Sequence, residues 1–557
     1  MSASRIVIVG GVAGGASAAA RARRMDESAQ IIMFEKSDYV SFANCGLPYY
    51  IGGKIEDRSK LLVATPQAFK EKFNIEVHTG HEVLKIDRKA REVVVFNHKT
   101  GREFTQPYDR LVLAPGATPI LPSWDGANAA NLFTLRDVPD SDRIKAWVDD
   151  QKPKRAVVVG AGFIGLEMVE ALIDRQVDVS LVELQPHILP LMDDEMAERI
   201  ETVLTDHQVD LHLNVSVEGL QVDADRVSAV CLSNGKTVPA DMVLVSIGVR
   251  PNIQLAVDAG LEIGASGGIA VNENLQTNDE AIYAVGDAAE VVHLVTGTQM
   301  RIPLAGPANR NGRLAGQHAA TNAAPAATPV LGTSIVGAFG QAAAMTGLSV
   351  KAARSAGMPC QAVYAIGGHH AGYYPGAEQM ILKLVYDPNN RRILGAQAVG
   401  GQGVDKRIDV IATAMRFAGT IDDLAGVDLT YAPQFGSSKD PVHIAAFIAQ
   451  NQTDGLVHQI LPGEPVTDSQ VVDVRTPKEF AGGSLSSAVN IPLQQLRQRL
   501  DEFDRHRPVT VLCGIGQRGY VACRVLMQNG FKDVRNLAGG YTMHKNSWSK
   551  SLWASAS

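Results

Sequence analysis

The chain has 557 residues, 20% of them charged, and a formal net charge of -7. A chain several times the usual domain size is expected to form three or four domains, each with its own hydrophobic core. The mildly acidic balance provides no basic footprint for nucleic acid or an anionic membrane, so small molecules are the expected substrates. The five cysteines are few, odd in number and scattered, which argues against a disulfide framework.

The first residues run directly into an apolar strand pattern over residues 5–10. They lack the basic flank, the apolar core and the cleavage site of a signal peptide. No uninterrupted apolar stretch approaches the length of a membrane span. We therefore expect a cytoplasmic protein that does not bind a membrane.

Two segments, residues 6–35 and 156–183, share one plan: a β-branched strand, a glycine-rich turn, a helical run and a second strand that ends in glutamate. Each fits a βαβ unit of a doubly wound parallel sheet, so two dinucleotide-binding domains are predicted. A β-hairpin pattern follows over residues 380–399, and an amphipathic helix pattern runs from about 405 to 417. This change indicates a separate α+β domain.

The second βαβ unit has glycine at all three positions of the dinucleotide fingerprint, directly after a strand and before a helical run. These glycines permit a tight turn, the approach of backbone amides to a pyrophosphate and close packing of helix on strand. Glu183 ends the next strand, where a carboxylate binds ribose hydroxyls and repels a 2′-phosphate, so NADH is preferred over NADPH. The predicted contacts are Gly160, Gly162, Phe163, Ile164, Gly165, Glu183 and Gly248.

The first βαβ unit departs from the fingerprint, because Val12 occupies the position of the middle glycine. A nucleotide site in this unit is supported by Glu35 at the end of the next strand and by Gly286-Asp287, which follow a distant strand. That glycine can offer an amide to phosphate, and the aspartate can offer a carboxylate to a ribityl chain. The predicted contacts are Gly10, Val12, Ala13, Gly14, Gly15, Glu35, Lys36, Val83, Ala114, Gly116, Gly286 and Asp287.

These motifs, together with Leu113-Ala-Pro-Gly116, occur in the order found in the two-dinucleotide flavoprotein disulfide reductases. The resemblance covers roughly residues 1–450. It implies FAD in the first site and NADH in the second. No metal site is predicted.

Cys45 lies in the segment Ser41-Phe-Ala-Asn-Cys-Gly-Leu-Pro-Tyr49, shortly after Glu35. An internal dithiol would need a second cysteine about five residues later, but Tyr50 occupies that place. The segment resembles the coenzyme A disulfide reductases and their relatives, the single-cysteine NADH oxidases and peroxidases. The resemblance implies that Cys45 is a redox centre, working either through a mixed disulfide with coenzyme A or through a sulfenic acid.

Resemblance to the coenzyme A enzymes assigns further roles. Ser41 and Asn44 would hold the cofactor thiol, and Arg24 and Lys72 could bind the phosphates of coenzyme A. In that family two tyrosines come from the C-terminal domain of the partner subunit of a homodimer. Tyr431 matches one of them, and Tyr373 or its neighbour Tyr374 matches the other.

The last ninety or so residues resemble a rhodanese domain. Residues Cys513 to Arg518 are predicted to form a six-residue loop between a strand and a helix. Backbone amides, the helix N-terminus and Arg518 would favour a thiolate and then a persulfide on Cys513. Asp473 and Arg475 are expected to secure the fold, and Cys523 is expected to be a core thiol.

The predicted fold class is α/β, with two doubly wound domains, an α+β dimerisation domain and a rhodanese-like domain. The whole arrangement resembles the coenzyme A disulfide reductase-rhodanese fusions, also described as NADH-dependent persulfide reductases. Two alternatives remain: a single-cysteine NADH oxidase or peroxidase, and a sulfurtransferase or sulfur carrier whose flavin portion senses redox state. The predicted boundaries are 1–118 with 251–328 for the FAD-binding domain, 119–250 for the NAD-binding domain, 329–450 for the dimerisation domain, 451–466 for a linker and 467–557 for the rhodanese domain.

Overall fold

The computed structural model describes residues 4–485 and 487–545, which divide into two compact units. The first unit spans Met1–Pro190 and Leu204–Gly332, and the second spans Leu191–Val203 and Thr333–Ser557. Among the described helices, none is long and apolar enough to span a membrane.

The first βαβ unit builds a five-stranded sheet in which every neighbouring pair of strands is parallel. Helix Ala13–Met25 packs against helix Ala305–Thr321. A Cβ on Gly312 or Gly316 would clash with backbone atoms of the first helix, so these glycines permit the close approach. In spatial order the strands are Ile282–Ala284, Arg110–Leu113, Arg5–Val9, Gln30–Glu35 and Glu76–Thr79.

The second βαβ unit builds another five-stranded parallel sheet. Its strands, in spatial order, are Asp210–Leu213, Asp178–Glu183, Arg155–Val159, Met242–Val245 and Leu132–Phe133. Apart from the edge strand Asp210–Leu213, these strands are almost continuously buried, which is typical of a parallel sheet covered on both faces. Its helices are Val138–Gln151 and Phe163–Asp174, whereas most of helix Asp194–Asp206 belongs to the second unit.

Each of these domains carries a three-stranded antiparallel sheet. The strands are His81–Asp87, Glu92–Asn97 and Arg102–Pro107 in one, and Val217–Asp223, Arg226–Leu232 and Thr237–Pro239 in the other. The remaining strands of the first unit are Ala117–Pro119, Val249–Pro251, Val291–Val292 and Gln299–Met300, and its short helices are Asn44–Gly46, Leu47–Ile51, Arg58–Leu61, Pro66–Phe73, Gln254–Asp258 and Gly286–Ala288.

In the second unit, residues from 333 onward first form a five-stranded antiparallel sheet. The strands, in spatial order, are Ser334–Ala338, Gln341–Gly347, Ile393–Gly400, Gln379–Tyr386 and Gln361–Gly368. The predicted hairpin pairs Gln379–Tyr386 with Ile393–Gly400, and the predicted amphipathic helix runs over Val404–Arg416. The other helices are Val350–Ser355, Ile421–Ala425 and Pro441–Thr453.

The last domain is a five-stranded parallel sheet. Its strands, in spatial order, are His458–Ile460, Val534–Leu537, Val509–Leu512, Gln470–Asp473 and Val489–Asn490, and its helices are Pro477–Ala481, Leu493–Leu496, Leu500–Glu502, Gln517–Gln528 and Gly540–His544. Strand His458–Ile460 lies inside the stretch predicted as a linker. The predicted fold class, two doubly wound domains followed by an α+β domain and a rhodanese-like domain, is confirmed.

Candidate active site

The first glycine turn closes tightly against the segment that begins at Ala114. Gly10 has a φ of +92° and donates its amide to the Phe34 carbonyl oxygen at 2.8 Å. A Cβ at this position would clash with the Ala114 carbonyl oxygen, so only glycine fits. Gly15 is equally restricted, because its Cβ would clash with the Gly10 carbonyl oxygen.

Glu35 holds the same turn through both carboxylate oxygens. Oε2 accepts the Gly11 amide at 2.8 Å, and Oε1 accepts the Ser37 amide at 2.9 Å. Each carboxylate oxygen keeps a second lone pair that a ribose hydroxyl could use. The predicted position of Glu35 at the end of strand Gln30–Glu35 is therefore compatible with a nucleotide ligand.

Other residues predicted for the first site lie around this turn. Val12 is the N-cap residue of helix Ala13–Met25, and a Cβ on Gly14 would lie 3.0 Å from Val285, next to Gly286. Lys36 is exposed at the end of its strand, whereas Val83 packs in the hydrophobic core that also contains Phe34.

Arg136, which the sequence patterns did not indicate, joins two predicted contacts of this site. It donates to the Asp287 carboxylate at 3.0 Å, and its Nη2 lies 3.0 Å from the position a Cβ would take on Gly116. Asp287 follows the left-handed Gly286 in a short helical turn. No motif marks Arg136, because its role depends on a contact 151 residues away in the chain.

The second glycine turn repeats the construction of the first. Gly160 has a φ of +101°, and Glu183 accepts the Ala161 and Gln185 amides, both at 2.8 Å. Gly162 begins helix Phe163–Asp174, and no atom lies within 4 Å of the position a Cβ would take there. That open space at a helix N-terminus fits the pyrophosphate of a dinucleotide.

A cavity of about 780 Å³ extends from this second turn. It contacts every residue predicted for the second site except Gly165, which packs against the turn itself. Arg136 and Asp287, from the first site, also line it. The cavity therefore extends from the second glycine turn to the Arg136–Asp287 pair.

Cys45 lies in the short turn Asn44–Gly46, immediately before helix Leu47–Ile51. Its side chain is exposed at the surface, yet desolvation by the surrounding protein and the negative charges of Glu167 and Asp287 raise the pKa of its thiol. Ser41 adopts a φ of +49°, which is unusual for a non-glycine residue. The Ser41 amide donates to the Gly11 carbonyl oxygen at 2.8 Å, so the cysteine segment is tied to the first nucleotide turn.

Tyr49 and Glu167 connect the cysteine helix to the second nucleotide motif. The Tyr49 hydroxyl donates to Glu167 at 3.2 Å, and a Cβ on Gly52 would lie 3.1 Å from Ala171. Burial, together with the charge of Glu167, raises the pKa of Tyr49 to about 12. No sequence motif indicated Glu167, although it lies two residues after Gly165, on the helix that follows the second glycine turn.

Arg24 belongs to a cluster of positive charge formed by the first helix and by Arg313 of helix Ala305–Thr321. The pKa of Arg21 lies below its ordinary value because of desolvation and the neighbouring charges of Arg313 and Arg24. Lys72 is exposed in the last turn of helix Pro66–Phe73. Clustered cations of this kind attract anionic groups.

In the second unit, Tyr373 and Tyr431 lie side by side, with their hydroxyls 3.1 Å apart. Their side chains are 76% and 50% exposed, so both can reach a ligand or another chain. Tyr374 instead lies with its hydroxyl 3.5 Å from Gln434. The paired hydroxyls favour Tyr373 over Tyr374 as the partner of Tyr431.

The loops that carry these tyrosines are fixed by a buried ion pair between Arg407 and Asp440. The guanidinium contacts the carboxylate at 2.7 and 3.2 Å and donates to the His369 carbonyl oxygen at 2.7 Å. Ala371 donates its amide to the Gly436 carbonyl oxygen at 2.9 Å, which joins the two loops. Arg407 was not singled out from the sequence, because it looks like one charge on an amphipathic helix.

Cys513 lies at the end of strand Val509–Leu512 and is fully buried. Its Sγ accepts the Gly516 amide at 3.1 Å. The Tyr541 amide donates to the Cys513 carbonyl oxygen at 2.7 Å. Cys523 is buried in the core, which raises the pKa of its thiol strongly and agrees with its prediction as a core thiol.

Arg518 ends the six-residue loop, but its guanidinium is paired with Glu479. The two contacts measure 2.9 and 2.6 Å. Asp473 and Arg475 form a separate buried pair at 2.6 Å, and Asp473 also accepts the Ser484 hydroxyl at 2.7 Å. These contacts agree with the prediction that Asp473 and Arg475 secure the fold.

Comparisons with known proteins match this architecture. Residues 4–312 match the pyridine nucleotide-disulphide oxidoreductase family, residues 333–440 match the dimerisation domain of that family, and residues 457–547 match the rhodanese-like domain. A coenzyme A disulfide reductase from Staphylococcus epidermidis is 36% identical over 452 residues, which cover 80% of this chain and 100% of that protein.

Two solved structures resemble nearly the whole chain. The crystal structure of reduced Bacillus anthracis CoADR-RHD has a TM-score of 0.95 and 42% sequence identity, and the match covers 99% of each chain. A NAD-dependent persulfide reductase from A. fulgidus has a TM-score of 0.91 and 38% identity over 97% of this chain and 99% of that one. The chain therefore belongs to the pyridine nucleotide-disulphide oxidoreductase family, with a rhodanese-like domain following its dimerisation domain.

Proposed function

We propose that the protein is an FAD-dependent enzyme that uses NADH to reduce coenzyme A persulfide, coenzyme A disulfide or polysulfide at Cys45, with sulfane sulfur handled by Cys513. The shared cavity is the observation that carries this proposal. It runs from the second glycine turn to Asp287, whose charge acts on the Cys45 thiol. Bound NADH, bound FAD and the Cys45 thiol would thus lie close together.

Membership in the family implies FAD and NAD(H) as cofactors. The first site fits FAD, because Glu35 keeps free lone pairs and Gly286-Asp287 lie next to the helix start. The second site fits NADH, because Gly162 leaves the helix N-terminus open and Glu183 lines the cavity. The carboxylate of Glu183 disfavours the extra phosphate of NADPH. Bound FAD supplies the relay of an electron pair from NADH to the sulfur bound at Cys45.

The chain's own chemistry is carried by Cys45. Its thiolate attacks a coenzyme A persulfide, the S–S bond breaks, and hydrosulfide leaves as a mixed disulfide between Cys45 and coenzyme A forms. Two electrons and a proton then return Cys45 to the thiolate and release the coenzyme A thiol. With coenzyme A disulfide the leaving group is a second coenzyme A thiolate instead.

Ser41 and Asn44 precede Cys45 in the same segment and would hold the coenzyme A thiol. Arg24, within its cluster of positive charge, and the exposed Lys72 would bind the phosphates. The relatives support this substrate class, since the sequence match to a protein named coenzyme A disulfide reductase covers 80% of this chain.

The dimerisation domain supports a homodimer as the working form. In our proposal the partner subunit contributes its own copies of the two tyrosines to each site. The adjacent, exposed hydroxyls of Tyr373 and Tyr431 suit donation to a leaving thiolate. We also propose that this enzyme acts in the cytoplasm.

Steady-state NADH oxidation under anaerobic conditions tests the proposal. We expect fast turnover with coenzyme A persulfide, coenzyme A disulfide or polysulfide and little with hydrogen peroxide. Cys45→Ser should keep FAD bound and reducible by NADH but abolish turnover, because the electron acceptor is lost. Turnover on peroxide alone would favour a peroxidase, and negligible NADH consumption would favour a sulfurtransferase.

A further inference from the structure

Two arginines lie beside the Cys513 loop, and each holds a carboxylate. Arg475 pairs with Asp473 at 2.6 Å, and its guanidinium carbon lies 4.3 Å from the ring centroid of Tyr541, whose amide donates to Cys513. Arg518 pairs with Glu479 through both terminal nitrogens, at 2.9 and 2.6 Å. Both cations are therefore largely neutralised by neighbouring carboxylates.

The Arg518–Glu479 pair lies at the mouth of the loop. Nη2 of Arg518 is 3.3 Å from the position a Cβ would take on Gly514, the residue after the nucleophile. The side chains of Arg518 and Glu479 are 36% and 40% exposed, whereas those of Arg475 and Asp473 are at most 5% exposed. An incoming sulfur donor would thus meet the Arg518–Glu479 pair first.

Glu479 is fixed independently of Arg518. It occupies the third position of helix Pro477–Ala481 and accepts the Thr476 amide at 3.0 Å and the Thr476 hydroxyl at 2.8 Å, as in a capping box. Hydrogen bonding to Arg518 holds the pKa of Glu479 far below its usual value. Glu479 is therefore a permanent negative charge at this mouth.

We propose that Glu479 is a specificity-determining residue, which disfavours small sulfonate donors such as thiosulfate at Cys513 and so favours persulfides carried on thiols. The inference rests on the proposed role of Cys513 as a sulfur carrier. With thiosulfate, the Cys513 thiolate takes the outer sulfur, the S–S bond breaks, and a persulfide on Cys513 and the sulfite dianion result. A dianionic leaving group needs a free cation, but the planar fork of Arg518 is already occupied. A thiol persulfide releases only a singly charged thiolate.

The substitution Glu479→Gln tests the inference, because glutamine preserves the size and the capping box while the charge is lost. We expect kcat/KM for sulfur transfer from thiosulfate to cyanide to rise by at least about fivefold, and the gain to shrink at high salt. With glutathione persulfide as donor, kcat/KM should change by less than about twofold. Glu502→Gln, which removes the carboxylate of the exposed Arg499–Glu502 pair in the same domain, is the matched control and should change neither value.

A second variant shows whether the gain acts through Arg518. In the double variant Glu479→Gln/Arg518→Gln, the gain in kcat/KM with thiosulfate should disappear. Thermal melting curves of all variants identify any loss of folding. An equal change on both donors, or none, would overturn the inference. Mass spectrometry of wild-type Cys513 distinguishes failure of the Glu479 role from failure of the carrier role. If Cys513 forms a persulfide but Glu479→Gln leaves the ratio of kcat/KM for the two donors unchanged, only the role of Glu479 is refuted. If neither donor gives a persulfide, the carrier role is refuted as well.

Discussion

The Tyr49 hydroxyl donates a 3.2 Å hydrogen bond to Glu167, and this contact joins the helix after Cys45 to the helix that begins at the second glycine turn. Burial raises the pKa of Glu167. Partial burial, followed by the charges of Glu167 and Asp287, raises the pKa of the Cys45 thiol. The charges of Glu167 and Asp287 therefore oppose formation of a thiolate at Cys45.

Glu167→Gln removes one of the charges that oppose the Cys45 thiolate. Because a negative charge raises a thiol pKa, its loss should lower the pKa and move the pH profile of Cys45 alkylation toward lower pH. The measurement is the rate of iodoacetamide labelling of the reduced holoenzyme between pH 6 and 10. Asp174→Asn, on the same helix, is the control. An unchanged profile would show that Glu167 does not act on Cys45.

Glu183→Gln should raise the KM for NADH and narrow the preference of the enzyme for NADH over NADPH, since the anionic barrier to a 2′-phosphate is lost. Glutamine is preferable to alanine, because Glu183 accepts the Ala161 and Gln185 amides through separate oxygens and the single oxygen of glutamine can still accept one of them. Alanine would leave both amides without an acceptor, at about 1–3 kcal/mol for each buried amide, and would distort the turn more than glutamine does. The ratio of kcat/KM for the two cofactors is the measurement, with Asp178→Asn at the start of the same strand as the control. An unaltered ratio would contradict the role of Glu183.

Local patterns were sufficient to predict both nucleotide turns. Tight turns, left-handed glycines and a glutamate at the end of the next strand are encoded within about thirty residues. Consequently the spacing from Gly160 to Glu183 predicted the geometry that is observed. The rhodanese loop was predictable for the same reason, since Cys513 and Arg518 are the first and last residues of one six-residue segment.

Contacts between distant segments could not be predicted in this way. Arg136 meets Asp287 across 151 residues, and Tyr49 meets Glu167 across 118. In sequence each looks like an ordinary surface or core residue. Glu479 is a similar case, because its capping box is a local signal but its pairing with Arg518 depends on how two loops fold together.

Arg407→Met should destabilise the dimerisation domain by about 3–5 kcal/mol, because it leaves the Asp440 carboxylate buried without its partner. The loop with Tyr373 should loosen as well, since Arg407 donates to the His369 carbonyl oxygen. Calorimetry should show an earlier transition, and activity should fall even below that transition. Lys406→Met, one position away on the same helix, should leave the transition in place. A transition that stays unchanged in Arg407→Met would show that the pair contributes little.

The proposed sharing of each active site between two subunits predicts that two inactive variants complement each other. Tyr431→Phe and Cys45→Ser homodimers should both be impaired, but a heterodimer of the two keeps one intact site, in which Cys45 faces a wild-type tyrosine. Mixing the variants under conditions of subunit exchange should therefore restore up to about half of the activity per exchanged dimer. Native mass spectrometry verifies the exchange. Verified heterodimers without activity would contradict a site built from two chains.

Replacement of Cys513 distinguishes two routes of sulfur to Cys45. Cys513 is buried in a rhodanese loop. In the proposed mechanism coenzyme A persulfide reaches Cys45 directly. If Cys513 delivers sulfur from larger donors, Cys513→Ser should impair reduction of protein-bound or polymeric sulfur far more than reduction of coenzyme A persulfide. Arg518→Ala should show the same selectivity more weakly, because the nucleophile and the loop amides remain.

The control for this experiment is Cys523→Ala, which removes the other thiol of the domain from its core. It should lower stability through a small cavity but leave the ratio of rates on large and small donors unchanged. NADH oxidation measured with coenzyme A persulfide and with a persulfidated carrier protein gives that ratio for each variant. Equal losses on both donors in Cys513→Ser would mean that every donor passes through Cys513, since a direct entry to Cys45 would otherwise preserve the reaction of the small one.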